Sequence, residues 1–203
     1  MGWIALFVLV LQLAGVCLAA QPIEILFDFK TPPQPAVVNV MKAEIREILR
    51  PAQLNLTFQR LGDGEPLETY RKIVLVRFQG VCQAGWSADP IQLAQPALLD
   101  LPALGRTEVS EGRVMPFVHI FCNEVRAFVP SVSRTPQEQM YGRALGRVVA
   151  HELYHALLST LEHARAGIAR DVQSARDLTG EKLALDPESV ERLRAMWGGD
   201  MRR

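Results

Sequence analysis

The hydrophobic and polar positions divide the chain after residue 20 into segments of two different periods. Ile23 to Phe29 (IEILFDF) alternates and predicts a strand. The proline-rich stretch from Thr31 to Pro35 breaks that pattern. From Ala36 to Leu49, apolar residues stand at Val37, Val40, Met41, Ile45, Ile48 and Leu49. That spacing predicts a helix, which Pro51 stops. Leu54 to Leu61 alternates like a half-buried strand, and Gly62-Asp63-Gly64 marks a turn. Lys72 to Phe78 (KIVLVRF) is almost continuously apolar and predicts another strand. Gly80 to Gly105 has no period and contains prolines and glycines, so it reads as a long loop of the kind that shapes a binding cleft. Thr107 to Val109 and Arg113 to Phe121 flank Ser110-Glu111-Gly112 and predict a hairpin. Thr135-Pro136-Gln137-Glu138 reads as a capping box, with Thr135 at the N-cap, proline at the first helical position and glutamate at the third. The helix it opens runs to about Leu158. Asp186-Pro187 opens a last helix, Pro187 to Trp197, closed by Gly198-Gly199. Mixed periods in one chain with no internal repeat give the class α+β.

The first twenty residues stand apart from this pattern. MGWIALFVLVLQLAGVCLAA has no charged side chain and ends in small residues before Gln21-Pro22. It reads as a secretory signal peptide cleaved near Ala19 or Ala20. The absence of a lysine or arginine near its start leaves an uncleaved anchor open, because the run approaches the length of a membrane span. Lipid modification at Cys17 would need a small residue before it, and Val16 stands there. Residues 21–203 form a single expected domain, large enough to bury a core. Charge is balanced at 22 basic and 22 acidic residues, with no basic run, so composition points to neither nucleic acid nor an anionic membrane surface. Localisation is expected to be secreted or periplasmic. Cleavage would leave two cysteines, Cys82 and Cys122, and an even count in an exported chain favours a disulfide. A bridge closing about forty residues constrains the unfolded chain by roughly 3–4 kcal/mol. Two buried free thiols are the alternative.

The chemistry is concentrated in His151-Glu152-Leu153-Tyr154-His155. Histidines at i and i+4 project from one helix face and can grip one metal ion, and the glutamate beside the first reaches a water on that metal. That is the minimum apparatus for metal-assisted hydrolysis of a peptide bond. His163 follows eight residues later, so three of the chain's 4 histidines fall in a short segment. A helix carrying two histidines by coincidence is the bland alternative. A carboxylate-bridged di-iron site would need a second E-x-x-H, and the chain has none. Were the helix to continue through His163, that residue would lie about 12 Å beyond His155 along the axis. Metal–nitrogen bonds are about 2.0–2.1 Å. The helix must therefore end after His155, and Ser159-Thr160, both weaker helix formers, are the expected place.

Strand, helix, several strands, then a long helix bearing HExxH resembles the zincin metallopeptidases. The resemblance implies a mixed twisted sheet, a backing helix at Ala36 to Leu49, and an active-site helix at the motif. It also implies an edge strand at Arg113 to Phe121, beside which a peptide would lie extended. In the metzincin branch the motif reads HExxHxxGxxH with a glycine at the bend. Here Leu158 stands at the glycine position and Leu161 at that of the third histidine, so His163 is two residues late. No methionine turn is evident, since Met196 and Met201 lie in or after the last helix. The sequence HELYH-ALLSTLE-H-ARAGI is also similar to small exported bacterial proteins with HExxH, seven residues, His, then a small-x-x-Gly-Ile stretch. Many of these continue with methionine, where this chain has Ala169.

These resemblances imply an exported zinc metallopeptidase. One zinc would be held by His151, His155 and His163, and a zinc-bound water would lose its proton to Glu152 as general base. The substrate would be a peptide or protein, the state a monomer, with no nucleic acid and no membrane beyond a possible anchor. Glu181 is an alternative third ligand, as gluzincins take a glutamate from a later helix. Glu162 reads as solvated or as a partner behind the ligands, His119 as a strand histidine, and Tyr154 as core. The rival reading is a non-catalytic zinc-binding or interaction protein on the same scaffold.

Overall fold

The computed structural model describes residues 21–63, 70–84, 103–130 and 135–198. The proposed leader, most of the long loop and Met201 lie outside these. The strands are β1 (Ile23–Phe29), β2 (Leu56–Arg60), β3 (Lys72–Gln79), β4 (Gly105–Ser110) and β5 (Arg113–Phe121). The helices are α1 (Pro35–Leu49), α2 (Cys122–Ala127), α3 (Gln137–Leu158), α4 (Ala175–Thr179) and α5 (Pro187–Trp197). One five-stranded sheet has the order β2-β1-β3-β5-β4. All neighbours are parallel except β4, which runs antiparallel to β5.

Alternate residues of the central strands enter the core: Ile23, Ile25, Phe27 and Phe29 from β1, Val74, Val76 and Phe78 from β3, Val118 and Ile120 from β5. They meet Val37, Met41, Ile45 and Ile48 of α1 and Tyr141, Leu145, Val148 and Val149 of α3. The spacing that predicts the helix at 36–49 is thus the spacing of its buried residues.

The structure corrects the expected edge. Arg113–Phe121 pairs with β3 on one side and β4 on the other, so β4 is the edge strand. Glu111 and Gly112 both have positive φ (51° and 73°), the backbone of a tight two-residue hairpin turn. That turn folds β4 back on β5. The buried Val118 and Ile120 demand a central position, whereas β4 (GRTEVS) is short and polar, as exposed edges usually are.

A second correction concerns the start of α3. Its N-cap is Pro136, with no side-chain capping bond, and the helix begins at Gln137. The Pro136 carbonyl already accepts from the N–H groups of Gln139 and Met140, which places Thr135 one residue too early to form the box. Two short helices are not expected from the periodicity. α2 and α4 are 6 and 5 residues long, too short to display a period. Cys82, just after β3, is bonded to Cys122 at the start of α2, with Cα atoms 5.0 Å apart.

α3 packs against α1 at close range through two glycines. A Cβ at Gly142 would stand 2.8 Å from the Val37 carbonyl oxygen, and one at Gly146 2.8 Å from that of Met41. Next to this crossing Arg147, fully buried, pairs with Glu44 of α1 at 2.7 Å and donates to the Asp177 carbonyl of α4.

Candidate metal centre

The last turns of α3 put His151, Glu152 and His155 on the wall of a cleft of about 450 Å³. Each helix histidine is oriented through Nδ1, which lies 2.8 Å from a backbone carbonyl: Ile168 for His151 and Thr160 for His155. A carbonyl can only accept, so Nδ1 carries the proton and each neutral ring presents a bare lone pair at Nε2. The two Nε2 atoms stand 3.2 Å apart. Two lone pairs that close repel unless a cation lies between them. Two nitrogens bound tetrahedrally to one zinc would be about 3.3–3.4 Å apart. The donor set therefore fits a metal ion. Burial lowers the pKa of His151. Burial, reinforced by the neighbouring His151, brings His155 down to about 4. Both rings are thus in the neutral form that ligates.

His163 joins them because the helix stops. Ser159 takes a left-handed conformation (φ 50°), and its N–H and that of Thr160 return to the His155 carbonyl. The bend therefore comes one residue after the metzincin glycine position, and the third histidine comes later to match. The His163 ring centroid is 4.7 Å from that of His155 and 5.3 Å from that of His151. One ring nitrogen from each of the three histidines falls within 4.8 Å of the others.

Glu152 is 5% exposed and faces the edge strand. The Thr107 hydroxyl donates to its Oε2 at 2.8 Å, with the Glu152 carbonyl at 3.1 Å. Burial pushes the carboxyl up to about 7, and hydrogen bonds from the Thr107 side chain and backbone oppose that rise. Gly105 leaves the space: a Cβ there would lie 3.0 Å from Glu152 Cγ and Oε1. Ala169 is buried and follows the Ile168 carbonyl that orients His151, so this turn supports the site through its backbone.

The other sequence candidates fall elsewhere. His119 is bound through Nδ1 by the Gln79 amide at 2.9 Å and lines a separate hollow with Leu75, Arg77, Glu108 and Phe117. Tyr154 is core, 1% exposed. Glu162 and Glu181 are exposed and do not line the cleft. Sequence reasoning missed Gly105, Thr107, Asp171 and Gln173, all cleft-lining residues with no motif to mark them.

No protein-family model matches the chain, and no curated protein matches its sequence. Among solved structures, the archaemetzincin of Methanopyrus kandleri superposes with a TM-score of 0.50 over 89% of this chain and 97% of that one, at 11% identity. The fold is metzincin-like. A zinc-dependent peptidase from Methanocorpusculum labreanum (strain Z) gives a TM-score of 0.49 at 10% identity, covering 84% and 99%. At such identities the likeness is one of fold. In the metzincin-like fold, α1 takes the place of the backing helix and α3 that of the HExxH helix.

Proposed function

We propose that this chain is an exported zinc-dependent peptidase in which His151, His155 and His163 hold one zinc ion and Glu152 is the general base. The observation that carries the reading is a set of three converging imidazoles beside a buried carboxylate in a cleft wall. When bound, zinc supplies Lewis acidity: it polarises the scissile carbonyl and acidifies water. Glu152 removes the proton from the attacking water and returns it to the leaving amine. The Thr107 hydroxyl holds that carboxylate in place, and Gly105 leaves it room. The outer edge of β4, unpaired among the described residues, offers backbone donors and acceptors to an extended peptide, and Leu104, Phe128, Leu161 and Val172 give the cleft an apolar lining for its side chains. The peptidase acts as a monomer on peptides or proteins. Residues 1–20 serve as its signal peptide and the protein works in a secreted or periplasmic setting, a reading supported by the uncharged apolar leader and by the Cys82–Cys122 bond.

The test is Glu152→Gln, which keeps shape and hydrogen bonding but removes basicity. The variant should bind about one zinc per chain and melt like wild type, while peptide hydrolysis falls at least ~10²-fold. Equal turnover by the two proteins would remove the mechanism. His151→Ala or His155→Ala should abolish tight zinc binding.

The rival, a non-catalytic zinc-binding or interaction protein, is favoured by one observation: a carboxylate beside His163, which brings the site closer to the four protein ligands of structural zinc sites. It gains if wild type binds zinc and cleaves no peptide or protein.

A further inference from the structure

That carboxylate belongs to Asp171, eight residues beyond His163. Its Oδ1 lies 3.7 Å from His163 Nε2, and Asp171 lines the cleft with the three histidines and Glu152. Its backbone is held on both sides. Arg170 pairs with Asp177 at 2.7 Å, and the Gln173 amide donates to the carbonyls of Ile168 at 3.0 Å and Arg170 at 3.1 Å. The Ile168 carbonyl is also the one that receives His151 Nδ1. One short stretch of chain thus orients the first histidine and presents a carboxylate beside the third. The Asp171 side chain is 76% exposed, so little packing restrains its rotation.

Three imidazole ligands bring no negative charge to a divalent cation. Glu152 is turned toward Thr107 of β4, and Asp171 places a second carboxylate of the cleft beside His163. Zinc accepts aspartate oxygen as well as imidazole nitrogen. We propose that Asp171 is a fourth protein ligand to the cation held by His151, His155 and His163, closing the centre until substrate displaces it. The displacement rests on the peptidase reading; the ligation does not.

The test compares wild type, Asp171→Ala and Asp171→Asn. Each is loaded with one Co²⁺ and titrated with acetohydroxamate by visible absorption, and zinc affinity is measured by competition with a chromogenic chelator. Thermal melts establish that the variants fold. Both variants should lose about tenfold or more in zinc affinity, the scale on which changes around a metal site act. Both should show an altered Co²⁺ spectrum and bind acetohydroxamate about tenfold more tightly, because no carboxylate has to leave. Unchanged zinc and hydroxamate affinities would overturn the proposal. So would weaker zinc binding with unchanged hydroxamate affinity, which makes Asp171 a partner of His163 rather than a ligand. A wild type that binds no zinc sinks both readings. A wild type that binds zinc, behaves as expected toward hydroxamate and cleaves nothing retains Asp171 as a ligand and loses the peptidase.

Discussion

Thr107 has a single hydroxyl proton, and the geometry directs it at the Glu152 carboxylate, 2.8 Å away across the floor of the cleft. In the proposed peptidase this contact fixes where the base points without touching substrate. Thr107→Val keeps the shape of the side chain and removes the donor. We expect kcat to fall about tenfold or more with KM little changed and zinc content intact, because a catalytic group held off its line loses rate steeply. Thr107→Ser should recover most of the loss. Steady-state kinetics on the three proteins decide it, and an unchanged kcat in the valine variant would leave Thr107 a mere strand residue. The residue scale also accounts for His163. A left-handed Ser159 does what a glycine does at a helix end, at a small conformational cost, so the chain turns without the metzincin glycine.

At the scale of elements, α3 governs the centre. Seventeen of its 22 residues are buried, so it is packed on nearly every side. Gly142 and Gly146 let α1 lie against it, and the Glu44–Arg147 pair locks that contact beside α4. At its end the Trp197 indole of α5 donates to the Leu157 carbonyl at 2.9 Å, satisfying one of the acceptors a helix leaves open. Glu44→Ala would strand the fully buried Arg147 charge with only a backbone acceptor. Removing one partner of a buried pair costs about 3–5 kcal/mol, and denaturant unfolding should show a loss of that size. A change under about 1 kcal/mol, the worth of a surface pair, would mean that the Asp177 carbonyl and water suffice for the guanidinium.

For the molecule as a whole, sheet order decides where the substrate of the proposed peptidase would lie. β4 borders the cleft, and among the described residues its outer edge is unpaired in the sheet, so in the proposed peptidase a peptide would be added there next to Glu152. The Cys82–Cys122 bond ties the chain leaving β3 to the start of α2, closing a separation of 40 residues that contains β4 and β5. Cys82→Ser with Cys122→Ser should cost about 3–4 kcal/mol of stability, because the unfolded chain regains the freedom of that loop. Calorimetry of the double variant checks it, and non-reducing mass spectrometry of the folded wild type should find no alkylatable thiol at either position.

The sequence by itself determined the elements that carry a long period and the chemistry that carries a motif. α1, α3 and α5 were legible to within a residue or two, as were β1 and β3, because the burial of each element leaves its own periodicity in the chain. The i, i+4 spacing placed His151 and His155 on one helix face, and the reach of a metal–ligand bond required the chain to bend before His163. Only the tertiary structure decided that β4 rather than β5 forms the edge, since strand order is set by pairing between distant segments that no local pattern records. It also decided the environment of the centre. The Ile168 and Thr160 carbonyls orient their imidazoles, Thr107 and Gly105 accommodate Glu152, and Asp171 stands beside His163. Each of these acts through a backbone group or a single polar side chain brought close by folding. Such contacts leave no periodicity in the sequence, and their chemistry depends on a distance that only the folded chain sets.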